Sequence, residues 1–402
     1  RQKLFSMIAE PEKKGSLFSE MDTDTFRVLI QNINIEELVH ILEHTPTDDV
    51  ADLVAQMPSE ISEAVLSRMK PEGQGEVAGL LRFEDDTAGG IMNPDFIALK
   101  EDTTARQAVE SLQKEHQDVE MPFYLYVVDD DGRLMGVSSL RQLVVVPPDT
   151  PLKKLMATDV FSVRTDMDQE EVAKIVARYD ILAVPVVDEK NRLVGIVTVD
   201  DVIDIFRLEA TEDMLKMAGA GEEFVETKSV LKSTRMRLPW LFASCIGGVM
   251  AFFIIGHYEK TLSQVTSLAA FIPVIMGMGG NIGTQSATIV VRGLATNRLD
   301  TSDLWRVVGK ELLVGLILGL IYGLLIGSVA HLRFSYIALA AAVCLAVLSS
   351  MTIAALVGSF IPMVLARAQV DPAIATGPFV TTSIDIISVF FYFIIATTFL
   401  GL

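Results

Sequence analysis

The stretch PVIMGMGGNIGTQSATIVVR, Pro273 to Arg292, lies where the chain is otherwise apolar enough to dissolve in lipid, yet it holds four glycines, an asparagine and a glutamine. A bilayer core tolerates irregular or polar backbone only where it is buried in protein or lines water. Gly277, Gly279, Gly280 and Gly283 weaken a helix and let backbone carbonyls approach another chain or an ion, while Asn281 and Gln285 add amide oxygens. Hard cations take oxygen ligands, and Mg2+ in particular keeps several of its waters, so a few carbonyls and one carboxylate suit a partly hydrated ion. Close helix packing would account for the glycines but not for the amides.

Working outward, five apolar segments, about 238–258, 266–291, 312–331, 335–366 and 374–400, each approach the ~20 residues needed to cross a bilayer. Lys228, Lys232, Arg235 and Arg237 precede the first, and Arg292, Arg298, Arg306 and Lys310 follow the second; the loops at 259–265 and 331–334 hold one basic residue each. Positive charge marks the cytoplasmic side, so the N-terminal half and the 292–311 loop are expected in the cytoplasm and the C-terminus outside. The third span repeats Gly315, Gly319, Gly323 and Gly327 every four residues, a small-residue packing ridge. Within the spans, boundary loops excluded, the one carboxylate is Asp385, in TTSIDIISVFF. An ionisable group at that depth is a functional site by default, and no Lys or Arg within the spans can pair with it. Pro378 removes a backbone donor and frees a carbonyl, and Gly377 and Thr381 share a helix face with Asp385.

The rest of the chain differs sharply in charge. Residues 1–227 hold 46 Asp+Glu against 22 Lys+Arg, a net of −24, whereas residues 228–402 hold 6 against 11, a net of +5. An acidic surface of that size repels nucleic acid and calls for cations or basic partners. Cys245 and Cys344 both fall in apolar segments, which offers no disulfide framework and fits a reducing compartment for the soluble part. The first residues, RQKLFSMIAE, lack the apolar core of a signal peptide and are expected to begin mid-chain.

A shift of 59 residues lays YLYVVDDDGRLMGVSSLRQLV (124–144) over AVPVVDEKNRLVGIVTVDDVI (183–203). Each copy reads strand, turn, strand, helix, with a further strand and helix upstream, so a tandem α/β pair is expected at about 88–147 and 152–208. In the first 80 residues, Pro46, Pro58 and Pro71 punctuate short apolar helical stretches at spacings of 12 and 13, the pattern of a small helical solenoid. His40 and His44 stand four apart but lack a third ligand, and are read as exposed helix residues.

This order of parts, with the pattern P-x(5)-G-G-N-x-G-x-Q and a late Asp, resembles the MgtE-type magnesium channel over essentially the whole chain. The resemblance implies a multidomain membrane protein: an all-α N-terminal helical superhelix (1–86), tandem α/β cystathionine-β-synthase-type repeats (87–147 and 148–208), a linking or plug helix (209–235) and a five-helix transmembrane pore domain (236–402). It implies a homodimeric, multi-pass protein of the cytoplasmic membrane that conducts Mg2+ and is closed by cytoplasmic Mg2+. Carried over, Asp385, Thr381 and Gly377 are the expected pore ligands, with Gly279, Gly280, Asn281, Gly283 and Gln285 lining the pore. Glu170, Asp180, Asp201, Asp204, Glu212 and Asp213 match sensor carboxylates, the linking helix itself matches Asp201 to Leu215, and further acidic positions are expected around Asp48, Asp49 and Asp52. Paired repeats of this type bind ATP or another adenine nucleotide, for which Tyr124, Arg141 and Ile181 hold the candidate positions.

Competing readings are a broader divalent transporter (Mn2+, Co2+ or Zn2+), a non-transporting Mg2+ sensor, and an anion channel, which would carry basic or hydroxyl-rich filters. A membrane enzyme is disfavoured, since no P-loop, nucleophile elbow or zinc-protease motif is present.

Overall fold

The computed structural model describes residues 5, 7–115, 123–219, 229–296, 298–375 and 377–401. They form two compact units, residues 1–209 and 210–402.

The first unit opens with short helices: α1 (Pro11–Ser19), α2 (Thr23–Ile30), α3 (Ile35–Leu42), α4 (Thr47–Gln56), α5 (Ser59–Leu66) and α6 (Pro71–Leu80). Their starts follow from the sequence. The Asp22 side chain accepts the Thr25 N–H and Asn34 accepts the Glu36 N–H, satisfying free donors of α2 and α3. Pro46 and Pro58 occupy the caps of α4 and α5, and Pro71 begins α6, where its missing N–H is not needed. Phe18, Phe26, Leu38, Leu42 and Leu53 are buried between the helices. His40 and His44 are exposed, as expected.

Two repeated α/β modules follow. The first is β1 (Ala98–Lys100), α7 (Ala105–Glu115), β2 (Tyr124–Val128), β3 (Leu134–Ser139) and α8 (Leu140–Val145); the second is β4 (Val163–Arg164), α9 (Gln169–Tyr179), β5 (Ala183–Val187), β6 (Leu193–Thr198) and α10 (Val199–Met217). In each, the helix crosses over to a parallel strand and a hairpin adds the third, giving sheet orders β1-β2-β3 and β4-β5-β6. The 59-residue shift survives in detail: Val127 pairs with Gly136 and Val186 with Gly195, and a bulge follows each valine. The matching turn positions Gly132 and Asn191 both adopt positive φ, 79° and 61°, where glycine and asparagine are favoured. The hairpins meet reciprocally, Leu134 N–H donating to Asn191 O at 3.1 Å and Leu193 N–H to Gly132 O at 3.0 Å. Residues 88–93, grouped by sequence with the first module, hydrogen-bond to the second: Ala88 N–H to Met167 O, Gly89 N–H to Thr165 O, and Asn93 with Ile196 in both directions. The apolar core of the helical domain runs on into this second module through Val163, Val172, Val184 and Val197.

In the second unit, among the described residues, five helices are long and apolar enough to cross a membrane. They are α11 (Val230–His257), α13 (Ile272–Ala295), α14 (Leu304–Phe334), α15 (Ile337–Arg367) and α16 (Pro378–Leu400), with the short α12 (Glu259–Gln264) after the first. The glycine ridge of α14 packs on α15: a Cβ at Gly319 would lie 3.0 Å from Leu348 Cα, and one at Gly323 2.7 Å from the Cys344 carbonyl. Such backbone approach replaces the hydrophobic drive that is missing between helices in lipid. The linking stretch 209–235 begins inside α10 and ends inside α11, and its residues 220–228 lie outside the described ones.

Candidate ion pathway

α13 turns Gly279 and Gly283 toward α15 and α16, while Gly277 is exposed. A side chain at Gly279 would begin 2.5 Å from Ser350 Oγ and 2.9 Å from Ser388 Oγ, and one at Gly283 would collide with Ile384. Gly280 is the glycine that faces the carboxylate, with its Cβ position 3.9 Å from Asp385 Oδ1. Asp385 is half-buried, and no hydrogen bond or ion pair reaches its carboxylate among the described residues. One turn further along α16, Ser388 shares a hydrogen bond of 2.7 Å with Ser350, which also meets the Ile275 carbonyl at 3.2 Å. Below them Tyr392 donates to the Leu268 carbonyl at 2.8 Å. A string of oxygen atoms thus follows Asp385 along the α13–α15–α16 junction.

The other members of the motif face elsewhere. Asn281 and Gln285 lie on the exposed side of α13, away from the glycine-packed face. Bare amides turned toward lipid leave hydrogen-bonding groups unsatisfied, so that face demands water or another protein surface. Among the described residues no group of three or more His, Cys, Asp or Glu side chains could hold a metal ion, so a cation at Asp385 would be held by one carboxylate, with carbonyls, hydroxyls and waters completing the shell.

The N-terminal end of α16 is occupied by protein. Gly377 abuts the last turn of α10, and a Cβ on it would lie 3.0 Å from the Met217 carbonyl and 3.4 Å from the Gly219 nitrogen. Gly219 ends that turn with φ +70°, and its own Cβ would lie 3.1 Å from Pro378 Cδ. The Gly377 carbonyl accepts long hydrogen bonds from the Thr381 N–H and hydroxyl, both 3.4 Å. Beside the seat, Lys216 reaches the Asp371 carboxylate at 2.7 Å and also bonds Glu212. Burial works against its ammonium form, but the bonds to Asp371 and Glu212 outweigh it and raise the pKa above the ordinary lysine value.

In the first unit the sequence-predicted sensor residues fall into separate groups. Asp201 accepts from the Thr198 N–H and hydroxyl at the start of α10; burial, with help from Asp200 and Asp49, pushes its pKa up to about 6. Asp49, on α4, is raised by burial and by Asp200, Glu20 and Asp204. Asp52 is exposed as a residue, yet protein atoms crowd its carboxylate at a notch of about 10 Å³ shared with Asp85, and that crowding, then Asp49, Asp85 and Asp201, pushes it up to about 7. Of these, Asp201 and Asp49 are the more enclosed. Asp48, half-buried, meets the Asn93 amide at 3.4 Å. Glu170 instead pairs with Lys174 at 2.8 Å, Asp204 pairs with Arg207 at 3.0 Å, and Asp180 is an exposed left-handed residue ending α9; Asp213, which belongs to the second unit, is half-buried on α10.

Of the nucleotide candidates, Tyr124 packs in the cluster between the two sheets, Ile181 packs against the core shared with the helical domain, and Arg141 is exposed on α8. Sequence reasoning missed Lys216, Asp371 and the serines of the α13 junction. The i,i+4 spacing of Glu212 and Lys216 was the one local signal available for them.

Comparison with known proteins follows the same division. Residues 1–86 match the MgtE intracellular N domain, 88–148 and 152–207 match CBS domains, and 272–395 match the MgtE family described as a divalent cation transporter. The magnesium transporter MgtE of Thermus thermophilus is 40% identical over 357 residues, 87% of this chain and 78% of that protein. The Bacillus subtilis protein of the same name is 35% identical over 385 residues, 96% of this chain and 85% of that one. Among solved structures, the cytosolic domain of the Mg2+ channel MgtE in complex with ATP is 38% identical, with a TM-score of 0.49 over 51% of this chain and 84% of that one. The chain belongs to the MgtE family of divalent cation transporters and is a multi-pass membrane transporter, not an enzyme.

Proposed function

We propose that this chain is a Mg2+ channel of the cytoplasmic membrane that works as a homodimer and closes when cytoplasmic Mg2+ is plentiful. The observation that carries the reading is Asp385: a half-buried carboxylate, bonded to no group among the described residues, facing the glycine backbone of α13 at Gly280. In that setting a carboxylate needs water or a cation, and a partly hydrated Mg2+ as cargo supplies both. The exposed Asn281 and Gln285 support a second copy, whose matching face would enclose a wet path between the two α13 helices. Asp385, Thr381 and Gly377 are proposed as the ion ligands; along α13, Gly280 is proposed to face the ion at Asp385, Asn281 and Gln285 to line the side turned to the second copy, and Gly279 and Gly283 to let the helix sit close against α15 and α16.

Closure is proposed to start at the crowded carboxylates. Like charges ~4 Å apart repel by about 4 kcal/mol at an effective dielectric of 20, so Asp49, Asp52 and Asp201 resist close packing until a dication enters. Glu170, Asp180, Asp204, Glu212 and Asp213 are proposed as further sensor positions. Swinging a gate from 1:99 to 99:1 takes about 5.5 kcal/mol of differential binding, within reach of a few bridging ions. The gate itself is the end of α10, whose last turn sits on Gly377 and Pro378 at the head of α16.

The corresponding organisation is a helical domain at 1–86, repeats at 87–147 and 148–208, a linking segment at 209–235 and the pore at 236–402, with the N-terminal domains in the cytoplasm and the C-terminus outside. An adenine nucleotide, ATP included, is proposed as a regulatory ligand of the paired repeats, with Tyr124, Arg141 and Ile181 as the positions to test.

Metal-dependent uptake into proteoliposomes, with internal Mg2+ varied, tests the whole reading. Mg2+ influx that falls as internal Mg2+ rises is expected. Influx of Mn2+, Co2+ or Zn2+ at equal rates would make the pore a general divalent path, and no influx would make the protein a sensor.

A further inference from the structure

Among the described residues, the one charged side chain in the buried set lies outside everything assigned so far: Glu311, 6% exposed, on the membrane helix α14. It continues the ridge of Gly315, Gly319, Gly323 and Gly327, one turn before the contact in which a Cβ on Gly315 would lie 2.7 Å from Ala355 Cβ. A leucine would fill such a position with no polar group to satisfy, and removing a buried charge in favour of packed apolar atoms is often neutral or stabilising. Stability alone therefore gives a carboxyl no advantage here.

Its partner is a buried serine. Ser286, 2% exposed on α13, donates to Glu311 Oε2 at 2.8 Å. Many hydroxyls of this unit turn back on their own helices, as Ser328 does to the Leu324 carbonyl, Thr352 to Leu348 and Ser359 to Ala355, whereas Ser350, Ser388 and Tyr392 bond across elements beside Asp385. Ser286 likewise sends its proton across to another helix, but to a carboxylate rather than to a carbonyl or hydroxyl. It stands three residues beyond Gly283, whose Cα would lie 3.0 Å from a Cβ on Gly358, and six residues beyond Gly280, or about 9 Å along the axis. The bond thus fixes one end of the same rigid segment whose glycine backbone faces Asp385.

We propose that Glu311 is a positioning residue for conduction: by holding Ser286 it sets the height and rotation of α13, and through them the distance between Gly280 and the Asp385 carboxylate. The inference rests on the assignment of Asp385 to the ion path. A carboxyl group offers Ser286 an acceptor in either protonation state, and so does a glutamine amide oxygen.

The test compares Glu311→Gln, Glu311→Ala, Ser286→Ala and Asp385→Ala in full-length protein reconstituted in liposomes, with Mg2+ and Ca2+ uptake measured at low internal Mg2+ and melting temperature measured in detergent. Ser286→Ala and Glu311→Ala should each lower Mg2+ uptake by about tenfold and reduce the Mg2+ to Ca2+ ratio, the double variant should be no worse than either, and Glu311→Gln should stay within about twofold of the parent. Melting temperatures that fall with uptake while the Mg2+ to Ca2+ ratio stays constant would overturn the proposal in favour of a purely structural bond. Normal uptake in Ser286→Ala, or loss in Glu311→Gln equal to that in Glu311→Ala, would overturn it too. Undiminished uptake in Asp385→Ala would remove the underlying path assignment instead, whatever the other variants do.

Discussion

Lys216 and Asp371 join two segments that meet at the head of the last membrane helix: the ammonium stands 2.7 Å from Asp371 Oδ2, while Asp371 Oδ1 accepts the Ala373 N–H at 2.8 Å. The aspartate therefore caps its own turn and holds the end of α10 at once. Removing the lysine charge leaves two carboxylates, Glu212 and Asp371, facing each other without a counter-ion. Lys216→Met is expected to loosen the seat on Gly377 and raise Mg2+ influx at high internal Mg2+ by roughly three- to tenfold. Asp371→Asn should do the same, and the double variant should be no more open than the singles. Influx of Lys216→Met that shuts off like the parent's would show that the ion pair does not hold the gate.

Asp385→Ala should abolish Mg2+ influx while the protein keeps its melting temperature and its oligomeric state, because the side chain makes no protein bond among the described residues that folding would lose. Asp385→Asn keeps the shape without the charge and is expected to lose at least about a hundredfold, since a neutral amide offers a dication far less than a carboxylate. Measurable single-channel current in Asp385→Ala would disprove the assignment.

Raised carboxylate pKa values give a signed pH dependence. Asp201, pushed from 3.8 up to about 6, and Asp49, raised by the same burial, prefer the protonated form in the folded state. The contribution of Asp201 to stability is whole below about pH 4 and is lost as pH rises through about 6, and that of Asp49 is likewise lost as pH rises. In EDTA the melting transition of the acidic domains should therefore fall between about pH 5 and pH 7.5 and recover when Mg2+ is added at the higher pH. At about pH 6 the same addition should release protons into unbuffered solution, and Asp49→Asn, Asp52→Asn and Asp201→Asn together should remove that release. No proton release near pH 6 would mean that the cation binds elsewhere.

Gly323 lies against the Cys344 carbonyl, where a Cβ would stand 2.7 Å away, whereas nothing lies within 4 Å of the Cβ position of Gly248. Gly323→Leu should lower the melting temperature in detergent by the equivalent of roughly 1–3 kcal/mol, and Gly248→Ala should change it little. Equal effects at the two glycines would contradict the packing of α14 on α15.

Much of this was legible in one dimension. Hydropathy located the five spans because each must satisfy its backbone internally along a contiguous apolar run. The repeat was visible because strand pairing keeps fixed offsets, so Val127 with Gly136 and Val186 with Gly195 are the same relationship written twice. Asp385 was conspicuous because its neighbours are apolar. Glu311 was not: it follows Arg306 and Lys310, so a sequence window reads it as a charged loop, and only the packing of α14 reveals it as buried. The Lys216–Asp371 pair was hidden for a different reason, since its members belong to elements that meet only in the folded unit. The motif GGNIGTQ divided in a way that composition does not encode: helical rotation sends Gly279, Gly280 and Gly283 to one face and Asn281 and Gln285 to the other.

The crossing of residues 88–93 onto the second α/β module bears on how the duplicated part could be cut. Asn93 shares two hydrogen bonds with Ile196, and Ala88 and Gly89 donate to Met167 and Thr165, so a protease acting in the 146–151 connection would leave each fragment lacking backbone partners held by the other. Neither piece would be a self-sufficient building block. A nicked chain should remain assembled until denatured, and shuffling the modules singly between proteins would demand that this short upstream ribbon travel with its neighbour.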